Sequence, residues 1–96
     1  MKLTEILHSP EVWCKYSMEN EGRRCLLGAM IFSGNHSKSL LVAIIKERNF
    51  DGFITKFNDH PDTTFEDVHA VAAEYDRRFM LLGQRKPWDN EHLLYT

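Results

Sequence analysis

The chain has two cysteines, Cys14 and Cys25, and they form no C-x-x-C pair. A structural zinc site wants four ligands, so zinc held by cysteine alone is excluded. The five histidines, His8, His36, His60, His69 and His92, form no H-x-x-x-H pair, and none sits at finger spacing from a cysteine. No glycine-rich phosphate loop, internal repeat or low-complexity stretch is present. The longest apolar runs are Cys25–Phe32 and Leu40–Ile45, far short of the roughly 20 residues a bilayer-crossing helix needs. The opening Met1-Lys2-Leu3-Thr4-Glu5 lacks the apolar stretch of a secretory signal. Without such a signal, two cysteines are expected to stay as free thiols in a cytoplasm. Nothing in their spacing favours a Cys14–Cys25 disulfide.

What is there is the composition of an ordinary soluble domain, 43% hydrophobic and 27% charged over 96 residues. That length supports one compact core. The net charge of −2 argues against a generic nucleic-acid binder, which needs Lys and Arg to neutralise phosphates. The charge is uneven. Residues 1–50 hold seven Lys/Arg against five Asp/Glu, and residues 51–96 hold five against nine. Asp59, Asp62, Glu66, Asp67, Glu74 and Asp76 follow one another with no basic residue between them. Such a run is either a solvated helix face or a surface that meets a basic partner.

The patterning predicts a mainly α, single-domain bundle of about four helices, with a short β hairpin or extended segment near residues 12–22. A first helix is expected over Lys2–His8, with Leu3, Ile6 and Leu7 facing inward. Ser9-Pro10 suits either a helix cap or a turn. Val12–Met18 reads as extended and ends at the turn-forming Glu19-Asn20-Glu21-Gly22. A second helix is expected over Arg23–Ser33. It is apolar all round, hence buried on most sides. Its stripe of Cys25, Gly28, Ala29 and Phe32 would let another element approach closely. A third helix covers Lys38–Arg48, with Asn49 as a stop. Phe53, Ile54 and Phe57 suit one or two helical turns. The long final helix opens on a capping box, Thr63 with Glu66 or Thr64 with Asp67, and runs to Gly83. Residues 1–83 are thus expected to form the compact helical domain. Residues 84–96 form a tail whose Trp88, Leu93, Leu94 and Tyr95 each cost about 1.5–3 kcal/mol to leave in water. The tail is expected to dock on the domain or on a partner.

Two kinds of chemistry compete. Cys25 follows Arg23 and Arg24 at the start of an expected helix, a setting that can lower a thiol pKa. With His60 as base, it would make a small cysteine-dependent hydrolase or transferase. Against this, cysteine is a habitual core residue, and Cys25 lies on a small-residue packing stripe. The Asn58-Asp59-His60-Pro61-Asp62 segment is dense in side chains that bond backbone amides and stabilise turns. It can equally be a recognition loop on a rigid scaffold.

Two stretches belong together as a pattern. One is Arg24-Cys25-Leu26-Leu27-Gly28-Ala29, preceded by Trp13 and a Glu21-Gly22 turn. The other is Ile54-Thr55-Lys56-Phe57-Asn58-Asp59-His60-Pro61-Asp62-Thr63-Thr64, running into the last helix. Over about residues 1–80 the chain resembles a family of small proteins of unknown function found in bacteria and their phages. Its members pair a tryptophan strand and a W-C-x-x-G-A helix with a W-N-D-x-P-x-x-T segment opening a final helix. Here Phe57 replaces the tryptophan before N-D, and Arg24 precedes the cysteine. The resemblance implies no activity. It marks Cys25, Gly28, Ala29, Asn58, Asp59 and Thr64 as motif positions, of types suited to packing, capping and turn formation.

The expected function is therefore a non-catalytic protein-interaction module of the accessory or phage-encoded kind. The surface expected to carry it is the acidic start of the last helix with the adjoining loop, Asn58, Asp59, Asp62, Glu66 and Asp67, helped by Trp88 and Tyr95. The expected partner is another protein, with a second copy of the chain as an option. No membrane, nucleic acid, metal or cofactor is expected.

Overall fold

A computed structural model describes residues 1–34, 37–50 and 53–83. Among them the chain forms five α-helices and one two-stranded antiparallel hairpin. The helices are α1 (Leu3–Ile6), α2 (Leu26–Ser33), α3 (Lys38–Glu47), α4 (Ile54–Asp59) and α5 (Phe65–Gly83), and the strands are β1 (Glu19–Asn20) and β2 (Arg23–Arg24). A 3-10 turn, Pro10–Val12, follows α1, with Pro10 at its first position, where its fixed φ and missing N–H cost nothing. The mainly α class and the hairpin agree with the sequence reading.

The long helix α5 is the spine. It packs against α1 and α3, while α2 packs against α1 and α4. Val68, Val71, Ala72 and Tyr75 line its buried face at steps of three and four. Leu3, Ile6, Leu7, Leu26, Ala29, Met30, Leu41, Ile44, Ile45, Ile54 and Phe57 complete the core. Of the two capping registers, the Thr64–Asp67 one carries the reciprocal bonds. The Asp67 amide donates to Thr64 Oγ1 at 3.3 Å, and the Thr64 amide donates to Asp67 Oδ2 at 3.0 Å. Asn49 ends α3 with φ 62°, its amide donating to the Lys46 carbonyl at 2.9 Å.

The second helix departs from expectation twice. It starts at Leu26, not Arg23, because Arg23 and Arg24 pair with Asn20 and Glu19 across the hairpin. The hairpin loop is Glu21-Gly22, with φ values of 53° and 84°. Two successive positive φ angles match the right-handed twist of the flanking strands, so the turn commits the next two residues to a strand. Nor is α2 buried on most sides. Ile31 is 43% exposed and Phe32 51% exposed, although Leu26, Ala29 and Met30 are buried. The small-residue stripe does admit a close neighbour. A Cβ on Gly28 would collide with the Met18 carbonyl oxygen and lie 3.0 Å from its carbon. Glycine is required there for the hairpin to lie against the helix.

Candidate functional site

The two patterned stretches converge on one side chain. Asn58, near the end of α4, is fully buried. Its Oδ1 accepts from Trp13 Nε1 at 2.7 Å and from the Leu26 amide at 3.0 Å. Its Nδ2 donates to the Cys14 carbonyl at 3.0 Å and to Asp59 Oδ1 at 2.9 Å. An amide side chain has two acceptor sites and two donors, and here all four are used. Asn58 thereby ties the loop after the 3-10 turn, the start of α2 and the end of α4 into one node.

The Leu26 amide is one of the orphan donors of the first turn of α2. Asn58 satisfies it from another element. Cys25 satisfies a second, since its Sγ accepts from the Gly28 amide at 3.3 Å. Cys25 has extended φ and ψ, so it is the N-cap and not a helical residue. Asp59 accepts from the Tyr16 amide at 2.8 Å as well as from Asn58. That bond holds Tyr16 at φ 68° with its ring 76% exposed. Phe65, the first residue of α5, lies 6.1 Å from the Trp13 ring, centroid to centroid. Cys25, Gly28, Asn58 and Asp59 thus join the hairpin, α2 and α4, while Ala29 lies in the core and Thr64 caps α5.

Among the described residues no hydrogen bond joins Cys25 to His60. Cys25 is buried and spends its sulfur on the Gly28 amide. His60 Nδ1 accepts from the Asp62 amide at 3.1 Å, and its ring stands edge-on to Phe50 at 5.5 Å. The His60 carbonyl accepts from Lys15 Nζ at 2.6 Å. Among the described residues, no three His, Cys, Asp or Glu side chains converge as a metal site. No helix among them is long and apolar enough to cross a membrane.

The acidic run of residues 59–76 is largely turned inward on the protein's own structure. Asp67 caps α5 and pairs with Arg48 at 3.3 Å. The bond from the Thr64 amide, with the Arg48 charge adding, holds its carboxyl below the usual range. Glu74 bonds both Arg77 and Arg78, which hold its carboxyl down at about 2. Arg78 reaches on to Glu47 of α3. Asp76 caps α1 from across the fold, accepting from the Leu3 amide at 2.7 Å, the Thr4 amide at 3.0 Å and Thr4 Oγ1 at 2.8 Å. Asp62 and Glu66 remain exposed. Trp88 and Tyr95 lie outside the described residues.

An apolar surface emerges where the sequence pointed to core. Met18, Ile31 and Phe32 rim a groove of about 240 Å³, floored by Gly28 and edged by Glu19 and Arg24. Met18 and Phe32 are each 51% exposed. The Arg24 guanidinium lies over the Phe32 ring, 3.8 Å from its centroid, fixing the ring's orientation. The one available signal was that α2 has no polar face at all. A short helix apolar all round in a domain this small cannot be covered on every side. No known protein family, curated protein or solved structure matches this chain.

Proposed function

We propose that this protein is a non-catalytic protein-interaction domain of the accessory or phage-encoded kind, working in a cytoplasm. Its partner presents an apolar side chain to the Met18–Ile31–Phe32 groove and a carboxylate to Arg24 beside it. The carrying observation is the exposed apolar end of α2, with Arg24 stacked on Phe32. Large apolar side chains gathered around a groove are the usual core of a protein interface, and arginine and aromatic residues dominate its energetics. The groove edge carries one charge of each sign, Arg24 beside Glu19, so Arg24 can meet a carboxylate of the partner. Tyr16 adds support. It keeps an exposed ring at a left-handed φ, a costly conformation for a residue that contributes little burial. The resemblance to small bacterial and phage proteins fits an accessory role, and the two free cysteines fit a reducing compartment.

Site-specific photocrosslinking in cells tests this. A photoreactive phenylalanine analogue replaces Phe32 in one protein, Glu66 in a second and the exposed Ala70 in a third. Position 32 should give a discrete adduct with another protein, lost when Ile31→Asp is added. An adduct from position 66 alone would move the binding surface to the acidic start of α5. No adduct from either position would refute the interaction reading.

A further inference from the structure

The 3-10 turn leads into a segment that runs beside β2. Trp13 and Arg24 form a parallel bridge, and the Cys14 amide donates to the Arg24 carbonyl at 3.2 Å. Cys14 and Cys25 come next on the two segments, where the Asn58 amide takes up the Cys14 carbonyl and the Leu26 amide in place of a second ladder bond. The bond from the Cys14 amide to the Arg24 carbonyl holds the two segments about one strand spacing apart there, roughly 4.8 Å. That spacing falls within the range of about 4.4–6.8 Å between Cα atoms that a disulfide spans. Both cysteines are free thiols. We propose that Cys14 and Cys25 are a reversible thiol–disulfide pair that ties the segment before the β1–β2 hairpin to the N-cap of α2, closing a loop around the hairpin.

The two sulfurs differ in access, which sets the order of events. Cys14 is half-buried and Cys25 fully buried. A low-molecular-weight disulfide such as oxidised glutathione reaches Cys14 first. The Cys14 thiol loses its proton, and its sulfur attacks one glutathione sulfur. A mixed disulfide forms and one glutathione thiolate leaves. Cys25 then loses its proton and attacks Cys14 Sγ, expelling the second glutathione. The protein has given up two electrons and two protons, and oxidised glutathione has become two reduced molecules. Each sulfur also leaves its present partner, Cys14 the Ser17 carbonyl and Cys25 the Gly28 amide. Burial and then Cys25 push the Cys14 thiol up, Asp59 and Glu19 adding to the rise and Arg23 opposing it. Exchange is therefore slow at neutral pH and quickens as the solution becomes alkaline. The closed loop contains Met18, Glu19 and Arg24, three residues of the groove, so oxidation fixes the hairpin that forms one groove wall.

The test is to incubate the native protein with oxidised glutathione and map peptides without reduction. Wild type should lose two hydrogens per chain and yield a peptide linking Cys14 to Cys25, with the chain still monomeric by that treatment. Cys25→Ser should stop at one bound glutathione on Cys14, and Cys14→Ser should not react. The oxidised wild type should melt several degrees higher than the reduced form, an effect lost on adding a reductant. The proposal is overturned if wild type also stops at the glutathione adduct. It is overturned equally if the cysteines link only between chains, or if the bond forms only in denaturant.

Discussion

Gly28→Ala sets two opposed effects against each other at one atom. In an exposed helix, replacing glycine by alanine stabilises by about 1 kcal/mol, because alanine loses less backbone entropy. At position 28 the new methyl group would meet the Met18 carbonyl, with the carbonyl carbon at 3.0 Å and the Cα at 3.3 Å. These are backbone atoms and cannot swing aside as a side-chain tip would. The Met18 carbonyl must retreat by about 1 Å before van der Waals separation returns. That retreat breaks the 3.4 Å bond it accepts from the Cys25 amide, beside the N-cap of α2. Overpacking of this kind costs about 1–3 kcal/mol, and the hydrogen bond adds roughly 1 kcal/mol. After the propensity gain, a net loss of about 1–3 kcal/mol remains. For a domain of this size that lowers the thermal midpoint by roughly 5–20 °C. Thermal unfolding followed by circular dichroism reads it, with Ala70→Gly on the exposed face of α5 as the control for propensity alone. A Gly28→Ala protein as stable as wild type, or more so, would refute the close approach of hairpin and helix.

Other consequences follow from the same structure. Asn58→Ala leaves the Trp13 indole and the Leu26 amide without their buried acceptor, which should cost about 2–4 kcal/mol in chemical denaturation. An unchanged midpoint would show that Asn58 is not the node. Asp76→Asn retains one acceptor oxygen for the three donors of α1 and loses the charge, so it should destabilise by about 1–2 kcal/mol. Amide hydrogen exchange should quicken at Leu3 and Thr4, and uniform protection would contradict the cap. Glu11, Glu47, Asp67 and Glu74 all have carboxyls held below their usual values. A depressed carboxylate contributes stability above its unfolded pKa and loses it as pH falls through the folded one. The thermal midpoint should therefore drop between about pH 4.5 and about pH 2, and Glu74→Gln should flatten that drop. A profile identical in the variant would discount the arginine pairs. Tyr16→Gly relieves a left-handed φ at an exposed side chain and should leave stability unchanged or raised by about 1 kcal/mol. A clear loss would mean that the ring is needed for folding.

The sequence made some of this legible because the forces are local. The period of α5, its capping box, the Asn49 stop and the Glu21-Gly22 turn each depend on residues within a few positions of one another. Arg23 and Arg24 read as helix because their neighbours downstream are helical. Their strand pairing follows from the twist of a turn and a register that composition does not encode. The node at Asn58 was beyond reach for a different reason. Its bonds run to Trp13 and Leu26, 45 and 32 positions away, and only the folded chain brings them together. Part of the acidic run was beyond reach in the same way. Asp76 looks like surface charge until the start of α1, 72 and 73 positions earlier, is seen to rest on it. For α2, an all-apolar pattern specifies a core but cannot say which side stays open. Ile31 and Phe32 could be assigned to the surface only after the hairpin, α1 and α4 had taken their places against the other faces.

On the function proposed, the Asn58 node is scaffold and the open end of α2 is the working surface. Ile31→Asp, taken through thermal unfolding and photocrosslinking from position 32 together, tests it most directly. A half-exposed side chain outside the packed core should accept the charge with a loss of about 1–2 kcal/mol, short of unfolding, while the adduct disappears. An unfolded or strongly destabilised Ile31→Asp protein would place that face in the core, and an adduct that survives in a folded one would put the partner elsewhere.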